Sequence, residues 1–458
     1  MAANPRNPVP LISLLRSRGP STASELAAEL GLSQSSISRA LRDAGREIVR
    51  IGQARRSRYA VRRDVRGLGS SWPVYRLDAE GVPHAAGELV ALYGGGTLLE
   101  SDAHPPWLQD EFTDGLFPGI PWFIDDQRPQ GFLGRQFAQS WARELGLSTD
   151  ILLWNDDAVL AALLLHGEDA PGNFVLGTAG LERALSDGQD ALPAAMRGSL
   201  YARLAERALA GEPVGSSAAG EQPKFTARIE DADGVTRHVI VKFSEPVGDP
   251  AGRRWADLLI CEHVAGEVLA EQGHASARSE LVWSEERLCL EVTRFDRIGA
   301  HGRRGFVTLA AWSDAHDGER DSWASAVLRM RDGGWVDAST ESAVRQRWWF
   351  GRMIGNTDMH FGNLGFFLDD ALPLHVAPSY DMLPMLYRPG SNGAIVPREF
   401  QPATPVPADA AYWERAAAWA EQFWHRVAGH GDVSAAFRET AQRNAGIVAG
   451  LRKRFAGL

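Results

Sequence analysis

The sequence reads GNTDMHFGN at residues 355–363 and SYDMLP at residues 379–384, and these two motifs decide the fold. Asp358 and Asn363 are five residues apart in a predicted loop, and Asp381 follows 18 residues after Asn363, beyond two apolar runs that predict a short hairpin. Phosphoryl transfer uses one Asp to orient and deprotonate the attacking hydroxyl, and an Asn and a second Asp as oxygen ligands for Mg2+. Taken alone, however, the spacing favours a turn with side-chain capping.

The composition is that of an ordinary globular protein. Of the 458 residues, 44% are hydrophobic and 23% are charged, so we expect roughly two to four domains with ample core. Two cysteines are too few for a disulfide framework or a zinc cluster. The sequence has neither a signal-peptide pattern nor an apolar run long enough to span a bilayer. We therefore predict a cytoplasmic protein that does not insert into a membrane.

Positive charge is concentrated at the start of the chain. Residues 1–66 contain 13 Arg and five acidic residues, a balance of +8, whereas the whole chain carries −10 and the remainder therefore −18. A basic head on an acidic body predicts that the head meets a polyanion.

Residues 8–65 have the pattern of a winged helix-turn-helix domain. A helix over 11–18 precedes a second one with a capping box formed by Thr22 and Glu25, and Ser33 caps a third helix over 34–44. Two β-prone runs after it flank an Arg-rich tip, as in a wing that touches phosphates. The predicted DNA contacts are Gln34, Ser35, Ser36, Arg39, Arg42, Arg55, Arg56 and Arg58. The alternative is a protein-docking module, and the domain is of a kind that often acts as a homodimer.

Between the head and the second half, residues 67–73 are a candidate linker because they are rich in Gly and Ser. Residues 150–166 predict an amphipathic helix. No chemistry can be assigned to this region from its residues.

The second half begins with a candidate nucleotide site. Residues 214–225 (VGSSAAGEQPKF) form a loop of small residues between strands, whose backbone N–H groups could cover phosphates. Only three lysines occur in the chain, and Lys242 lies in the next predicted strand, where a Lys would pair with the α- and β-phosphates. A helix over 255–273 carries Glu262 and Glu267, either of which could orient Lys242, and we prefer Glu262. Arg294 and Arg297 either bind phosphate or pair with acids.

Five motifs in this order resemble the HipA family of bacterial serine/threonine kinases, the toxins of type II toxin–antitoxin systems, over about residues 72–450. They are SAAGEQPK at 217–224, the strand lysine Lys242, RFDR at 294–297, NTDMHFGN at 356–363 and YDMLP at 380–384. The helix-turn-helix ahead of them is similar to the arrangement in YjjJ-type members. The implied fold class is α+β, a two-lobed protein-kinase-like (HipA) fold. Its domains would be the winged helix-turn-helix at 1–66, the N-terminal lobe at 72–300 and a mainly helical C-terminal lobe at 301–458.

The resemblance also implies ATP and Mg2+ as cofactors and a role for each motif residue. Asp358 would be the catalytic base, Asn363 and Asp381 the Mg2+ ligands, and Ser217 the site of an inactivating autophosphorylation, with Ser216 equally accessible. The implied ATP-binding residues are Lys242, Glu262, His360, Ala218, Ala219, Gly220, Glu221, Gln222 and Lys224. Within this set, His360 is expected to orient the catalytic loop rather than to act as the base.

The implied partners are DNA and a protein substrate, for which the family offers an aminoacyl-tRNA synthetase as an example. The sequence departs from the family at Gly362, where a Lys often stands, which predicts weaker activity or altered substrate choice. Family members also usually carry their DNA-binding element on a separate antitoxin.

Two other functions stay open: a transcriptional regulator with a nucleotide-sensing, kinase-like body, and a small-molecule kinase of the same fold. A degenerate sensor has no need of the complete set Lys242, Asp358, Asn363 and Asp381, which favours an active kinase.

Overall fold

A computed structural model describes residues 9–53, 57–103, 105–186, 191–210 and 222–456. The chain forms two compact units. The first consists of Met1–Asp78, Val82–Arg128 and Leu152–Ser186, and the second of Ala79–Gly81, Pro129–Ile151 and Asp187–Leu458. Within the described ranges, no helix is long and apolar enough to cross a membrane.

The first unit begins with the head, which confirms the predicted winged helix-turn-helix. Its helices and strands are α1 (Val9–Arg18), β1 (Ser21–Thr22), α2 (Ala23–Leu30), α3 (Gln34–Asp43), β2 (Ile48–Ile51) and β3 (Arg58–Val61). The strands form a sheet in the order β1-β3-β2. Thr22 and Glu25 form the predicted capping box, and the Ser33 hydroxyl accepts the Ser36 N–H to cap α3. Ile37 and Leu41 of α3 are buried in the head's own core.

The middle of the chain adds a second sheet to this unit, in the order β7-β6-β5-β4-β8. The strands are β4 (Ser71–Leu77), β5 (Pro83–Ala91), β6 (Thr97–Glu100), β7 (Leu116–Phe117) and β8 (Phe174–Leu176). The helices are α4 (Trp122–Asp125), α5 (Gly131–Leu145), α6 (Asp156–His166) and α7 (Thr178–Leu185), of which α5 belongs to the second unit.

Helix α6 corrects a prediction. The amphipathic helix predicted over 150–166 begins only at Asp156, where the Asn155 side chain accepts the Ala158 N–H at 3.0 Å. Every residue from 158 to 164 is buried. The helix is therefore apolar on all sides, as expected of a helix inside a core rather than on a surface.

The head and the middle sheet share backbone and core contacts. Strand β3 runs on into a bridge between Arg62 and Leu92, and the Tyr93 N–H donates to the Val61 carbonyl at 2.9 Å. Beneath this junction, side chains of β2 and β3 pack with side chains of the middle sheet in one apolar cluster: Val49, Ile51, Ala60, Val90, Leu92 and Leu98. The candidate linker is a tight turn, since the Asp64 carboxylate accepts the N–H groups of Gly67 and Gly69.

The second unit contains a five-stranded sheet in the order β12-β13-β11-β10-β9. These strands are β9 (Leu192–Pro193), β10 (Lys224–Glu230), β11 (Thr236–Phe243), β12 (Ser279–Ser284) and β13 (Arg287–Thr293). Helix α8 (Arg197–Ala210) precedes β10, and the long helix α9 (Pro250–Glu271) connects β11 to β12.

The rest of this unit is mainly helical. It contains β14 (Arg297–Ile298), β15 (Gly302–Arg303), β16 (Phe306–Thr308), α10 (Leu309–His316), α11 (Trp323–Asp332), α12 (Ala338–Ile354), β17 (Gly365–Phe367), β18 (His375–Val376), α13 (Ala410–Gly429) and α14 (Ala435–Phe455). Strands β17 and β18 form the predicted hairpin between Asn363 and Asp381, and β16 pairs with β17 on its other side. The hairpin places the two motifs of the opening sequence at its two ends.

The buried Arg347 of α12 fixes the segment that leads into Asp381. Its guanidinium donates to the Ala377 carbonyl at 2.7 Å and to the Ala275 carbonyl, beyond the end of α9, at 2.9 Å. Burial lowers the pKa of Arg347 to about 10. One side chain thus ties the turn after α9 to the strand end before Tyr380.

The contact between the head and the middle sheet can be tested at a pair of neighbouring glycines. Gly94 and Gly95 both have positive φ, +89° and +84°, but a Cβ on Gly94 would lie 2.5 Å from the Gly19 Cα, whereas one on Gly95 meets nothing within 4 Å. We expect Gly95→Ala to cost about 1–2 kcal/mol of unfolding free energy from backbone strain. Gly94→Ala should cost roughly 1–3 kcal/mol more from the overlap. Urea unfolding measures both variants, and equal losses would contradict the close packing.

Candidate active site

Two of the three lysines stand opposite each other on neighbouring strands. Lys224 of β10 and Lys242 of β11 are partners in the antiparallel register. Directly opposite residues place their side chains on the same face of a sheet. Two positive charges therefore project from one face of this sheet.

Lys242 lies between two carboxylates. Its Nζ donates to Glu262 Oε1 at 2.5 Å and also contacts the Asp381 carboxylate. Only 6% of Lys242 is exposed. Burial lowers the pKa of Lys242, but the charges of Asp381 and Glu262 more than offset this effect and hold it above its ordinary value. Glu267, the other candidate, instead lies 3.5 Å from the His263 ring and 3.9 Å from Arg426.

The two carboxylates around Lys242 differ in their protonation preference. Burial raises the pKa of Glu262, despite the opposing charge of Lys242. Burial also acts to raise the pKa of Asp381, but the charges of Lys242 and Lys224 bring it down to about 2. Asp381 is therefore ionised at any physiological pH, as a metal ligand must be.

The backbone of Asp381 is held in an unusual conformation. Its φ is +53°, in the left-handed region that residues other than glycine seldom adopt. Two hydrogen bonds maintain it: the Asp381 N–H donates to Glu262 Oε1 at 3.2 Å, and Asn356 Nδ2 donates to the Asp381 carbonyl at 3.3 Å. The same Glu262 oxygen thus binds both Lys242 and the Asp381 backbone.

Two asparagines organise the predicted catalytic loop. Asn356 Oδ1 accepts the Asp358 N–H at 3.0 Å, and Asn363 Nδ2 donates to the Asp358 carbonyl at 2.8 Å. The carboxylate of Asp358 is partly exposed and makes no hydrogen bond or ion pair with the described residues. No described side chain therefore competes for this carboxylate.

Tyr380 connects the two halves of the candidate metal site. Its hydroxyl donates to the Gly362 carbonyl at 2.7 Å, and its ring lies 5.8 Å from that of Phe295. Gly362 directly precedes Asn363, and Tyr380 directly precedes Asp381. One hydrogen bond therefore sets the separation of the two predicted Mg2+ ligands.

The oxygen atoms present suit Mg2+. The Asn363 side chain makes one hydrogen bond among the described residues, through Nδ2, so Oδ1 is left for a metal. The described ranges contain no group of three or more His, Cys, Asp or Glu that could hold a metal.

His360 has structural contacts. Its Nδ1 accepts the Gly362 N–H at 3.1 Å, and its carbonyl accepts hydrogen bonds from Trp323 Nε1 and the Asn363 N–H. The ring is exposed. These contacts order the loop around Asn363.

The buried arginines of the RFDR motif pair with an acid, which is the second of the two interpretations. Arg294 donates to both Asp296 oxygens, at 3.0 and 2.9 Å, and Arg297 donates to the same carboxylate at 2.6 Å.

Several predicted site residues lie outside the described residues: Ser216, Ser217, Ala218, Ala219, Gly220, Glu221, Arg55 and Arg56. Of the predicted phosphate loop, Gln222 and Lys224 are described. The Gln222 side-chain nitrogen is buried without a hydrogen-bond partner in the described part of the chain. The Lys224 side chain has no ion pair there either.

On the head, Gln34, Ser35, Arg39 and Arg42 of α3 are exposed, and Ser36 is half-buried beside Ser33. Arg58, in the wing, lies 3.8 Å from Asp114.

Two positions in the site were not among the predicted functional residues. Asn356 and Tyr380 stand inside the quoted motifs, but their role is to hold backbone groups of distant residues. The only signal of this role in the sequence is that both are polar residues near the predicted site residues Asp358 and Asp381.

Comparison with known proteins gives matches over most of the chain. Three family models match: "YjjJ-like toxin, middle domain" at residues 68–185, "HipA-like C-terminal domain" at 216–446, and "Bacterial regulatory protein, arsR family" at 9–45. The chain is 37% identical to Toxin YjjJ of Escherichia coli (strain K12) over 427 residues, which cover 93% of this chain and 94% of that protein.

Among solved structures, the chain is similar to one from the HipA, HipB and operator DNA complex of Shewanella oneidensis MR-1. The match has a TM-score of 0.50 at 15% identity and covers 84% of this chain and 95% of the other. This likeness supports the two-lobed HipA fold expected from the motifs.

The hydroxyl of Tyr380 can be removed by Tyr380→Phe without changing the ring. Loss of one hydrogen bond worth about 1 kcal/mol should raise the Mn2+ or Mg2+ concentration for half-saturation roughly fivefold, with an ATP analogue present. Calorimetric titration of the metal measures this. Tyr387→Phe is the matched control, because the Tyr387 hydroxyl accepts a hydrogen bond from Asn444 away from the site. An equal shift in both variants would contradict the assigned role.

Proposed function

The chain belongs to the HipA-like toxin family, with a YjjJ-like middle domain, and from this premise we propose that it is an ATP- and Mg2+-dependent serine/threonine protein kinase with its own DNA-binding head. The observation that carries the proposal is the buried contact of Lys242 with both Glu262 and Asp381. The same combination of strand lysine, helix glutamate and metal-binding aspartate positions phosphates in protein kinases.

Each residue then has a defined task. Asp358 accepts the proton of the acceptor hydroxyl while that oxygen bonds to the γ-phosphorus and the bond to ADP breaks. Asn363 and Asp381 would hold Mg2+, which would supply charge neutralisation for the phosphates. Asn356 and Tyr380 keep these three groups in register.

Lys242 and Lys224 would have different roles in nucleotide binding. Lys242 is already neutralised by two carboxylates, so its main task is to hold Glu262 and Asp381 and to offer a hydrogen bond to a phosphate. Lys224 has no carboxylate partner among the described residues and lies close enough to lower the pKa of Asp381. Its charge is therefore available to the nucleotide.

The family resemblance is also the basis for proposing how the kinase is regulated and what it binds. We propose that Ser217, or its neighbour Ser216, accepts an inactivating phosphate next to the loop 218–224, where added negative charge would repel the nucleotide. The head would bind DNA, in line with its charge and its match to a bacterial regulatory family. The substrate is proposed to be a protein; an aminoacyl-tRNA synthetase is the first one to try.

The kinase proposal is tested with labelled ATP and Mg2+, followed by mapping of phosphate by mass spectrometry. The wild type should label itself at Ser217 or Ser216, and Asp358→Ala should lower the rate at least about 100-fold, as for loss of a general base. Asp332→Ala, an exposed aspartate at the end of α11, is the control and should keep full activity. Absence of label, together with an ATP-dependent change in DNA affinity, would instead support the sensor-regulator function.

The division between the lysines predicts different losses on substitution by methionine. Lys242→Met leaves the buried Glu262 carboxylate and the half-buried Asp381 carboxylate without their partner and should cost roughly 3 kcal/mol of unfolding free energy. Lys224→Met should leave stability within about 0.5 kcal/mol and weaken the binding of a non-hydrolysable ATP analogue about tenfold. Thermal unfolding and calorimetry distinguish the two. Unchanged nucleotide affinity in Lys224→Met would contradict the task given to Lys224.

A further inference from the structure

Two groups of arginines in the head differ in their partners. Arg39 and Arg42 of α3, and Arg46 just after it, are exposed and have no ion pair with any described carboxylate. Arg42 makes one local hydrogen bond, from Nε to the Ser38 carbonyl. The positive charge of this face is therefore available to a polyanion.

Three arginines in and after β3 lie close to carboxylates of the middle of the chain. Arg58 lies 3.8 Å from Asp114, Arg62 lies 3.5 Å from Glu100, and Arg63 contacts Asp157. All three carboxylates belong to the region after the head. In the folded chain, nearby carboxylates thus offset part of the excess positive charge that residues 1–66 carry.

This neutralisation is built into the packing. Strand β3 is continuous with the backbone pairing to the middle sheet, and the apolar cluster beneath it joins the two parts. Directly after β2, a Cβ on Gly52 would lie 3.1 Å from Asp114 Oδ2, so the wing backbone packs closely against this carboxylate. The backbone pairing and the apolar cluster thus hold the middle-sheet strand that carries Glu100 beside the wing.

We propose that double-stranded DNA is contacted through α3 and Arg46, and that Asp114 and Glu100 act as an electrostatic brake by neutralising Arg58 and Arg62. The proposal rests on the proposed DNA binding by the head and changes its contact surface, because Arg58 was predicted to touch phosphate. Duplex DNA is the partner that fits an exposed, N-capped helix with polar residues at its start and unpaired arginines after them.

The number of phosphates contacted can be measured from the dependence of affinity on salt. Each contact with B-DNA contributes about 0.9 to the slope of log K against log salt concentration. The full-length protein is titrated with a fluorescent 20-base-pair duplex of mixed sequence at several salt concentrations. The slope then counts contacts separately from folding and from sequence preference.

Arg39→Ala and Arg46→Ala should each lower the slope by about one and weaken binding several-fold. Arg58→Ala and Arg62→Ala should leave affinity within about twofold, because these arginines already have carboxylate partners. If Arg58→Ala weakens binding as much as Arg39→Ala, the brake is overturned. If Arg39→Ala and Arg46→Ala have no effect, DNA binding through α3 itself fails, which is a separate result.

The brake is released in the double variant Asp114→Asn, Glu100→Gln. It should bind the duplex about five- to tenfold more tightly at low salt, with a slope steeper by about one to two as Arg58 and Arg62 become available. The control Asp110→Asn, Glu111→Gln removes the same charge from exposed acids of the same region that have no arginine partner among the described residues. An equal gain in the control would mean a general charge effect and would overturn the proposal.

Discussion

The contact of Lys242 with Glu262 and Asp381 is the interaction on which the second unit depends. It joins a strand of the sheet, the helix that follows it and the segment after the β17–β18 hairpin, which are far apart in the sequence. The charges of Lys242 and Glu262 are costly to bury alone, and the half-buried Asp381 completes their compensation. The triad therefore selects the one arrangement in which sheet, helix and catalytic loop converge.

Local signals in the sequence were sufficient for the head and for the hairpin. The caps at Thr22 and Ser33 depend on residues three positions away, and such patterns can be recognised without the rest of the chain. The start of α6 was placed too early because a wholly buried helix has no polar face to define its period. Family motifs, not spacing, brought Lys242 and Asp381 into one candidate site.

The contacts that could not be predicted join a side chain to a backbone group far away in the sequence. Asn356 and Tyr380 act on carbonyl and N–H groups whose positions are set only when the loop and the hairpin are folded together. The choice between phosphate binding and ion pairing for Arg294 likewise required the position of the Asp296 carboxylate. A side chain's type gives its chemistry, but the fold decides which partner it finds.

The continuity of β3 with the middle sheet has a consequence for how such proteins evolve. A helix-turn-helix domain that is attached through a flexible linker can be replaced by another such domain without changing the rest of the protein. Here a transplanted domain would have to supply apolar groups matching Val90 and Leu92 and a glycine able to meet Gly94 at close range. Head and middle are therefore expected to be inherited together, as a single recombination unit.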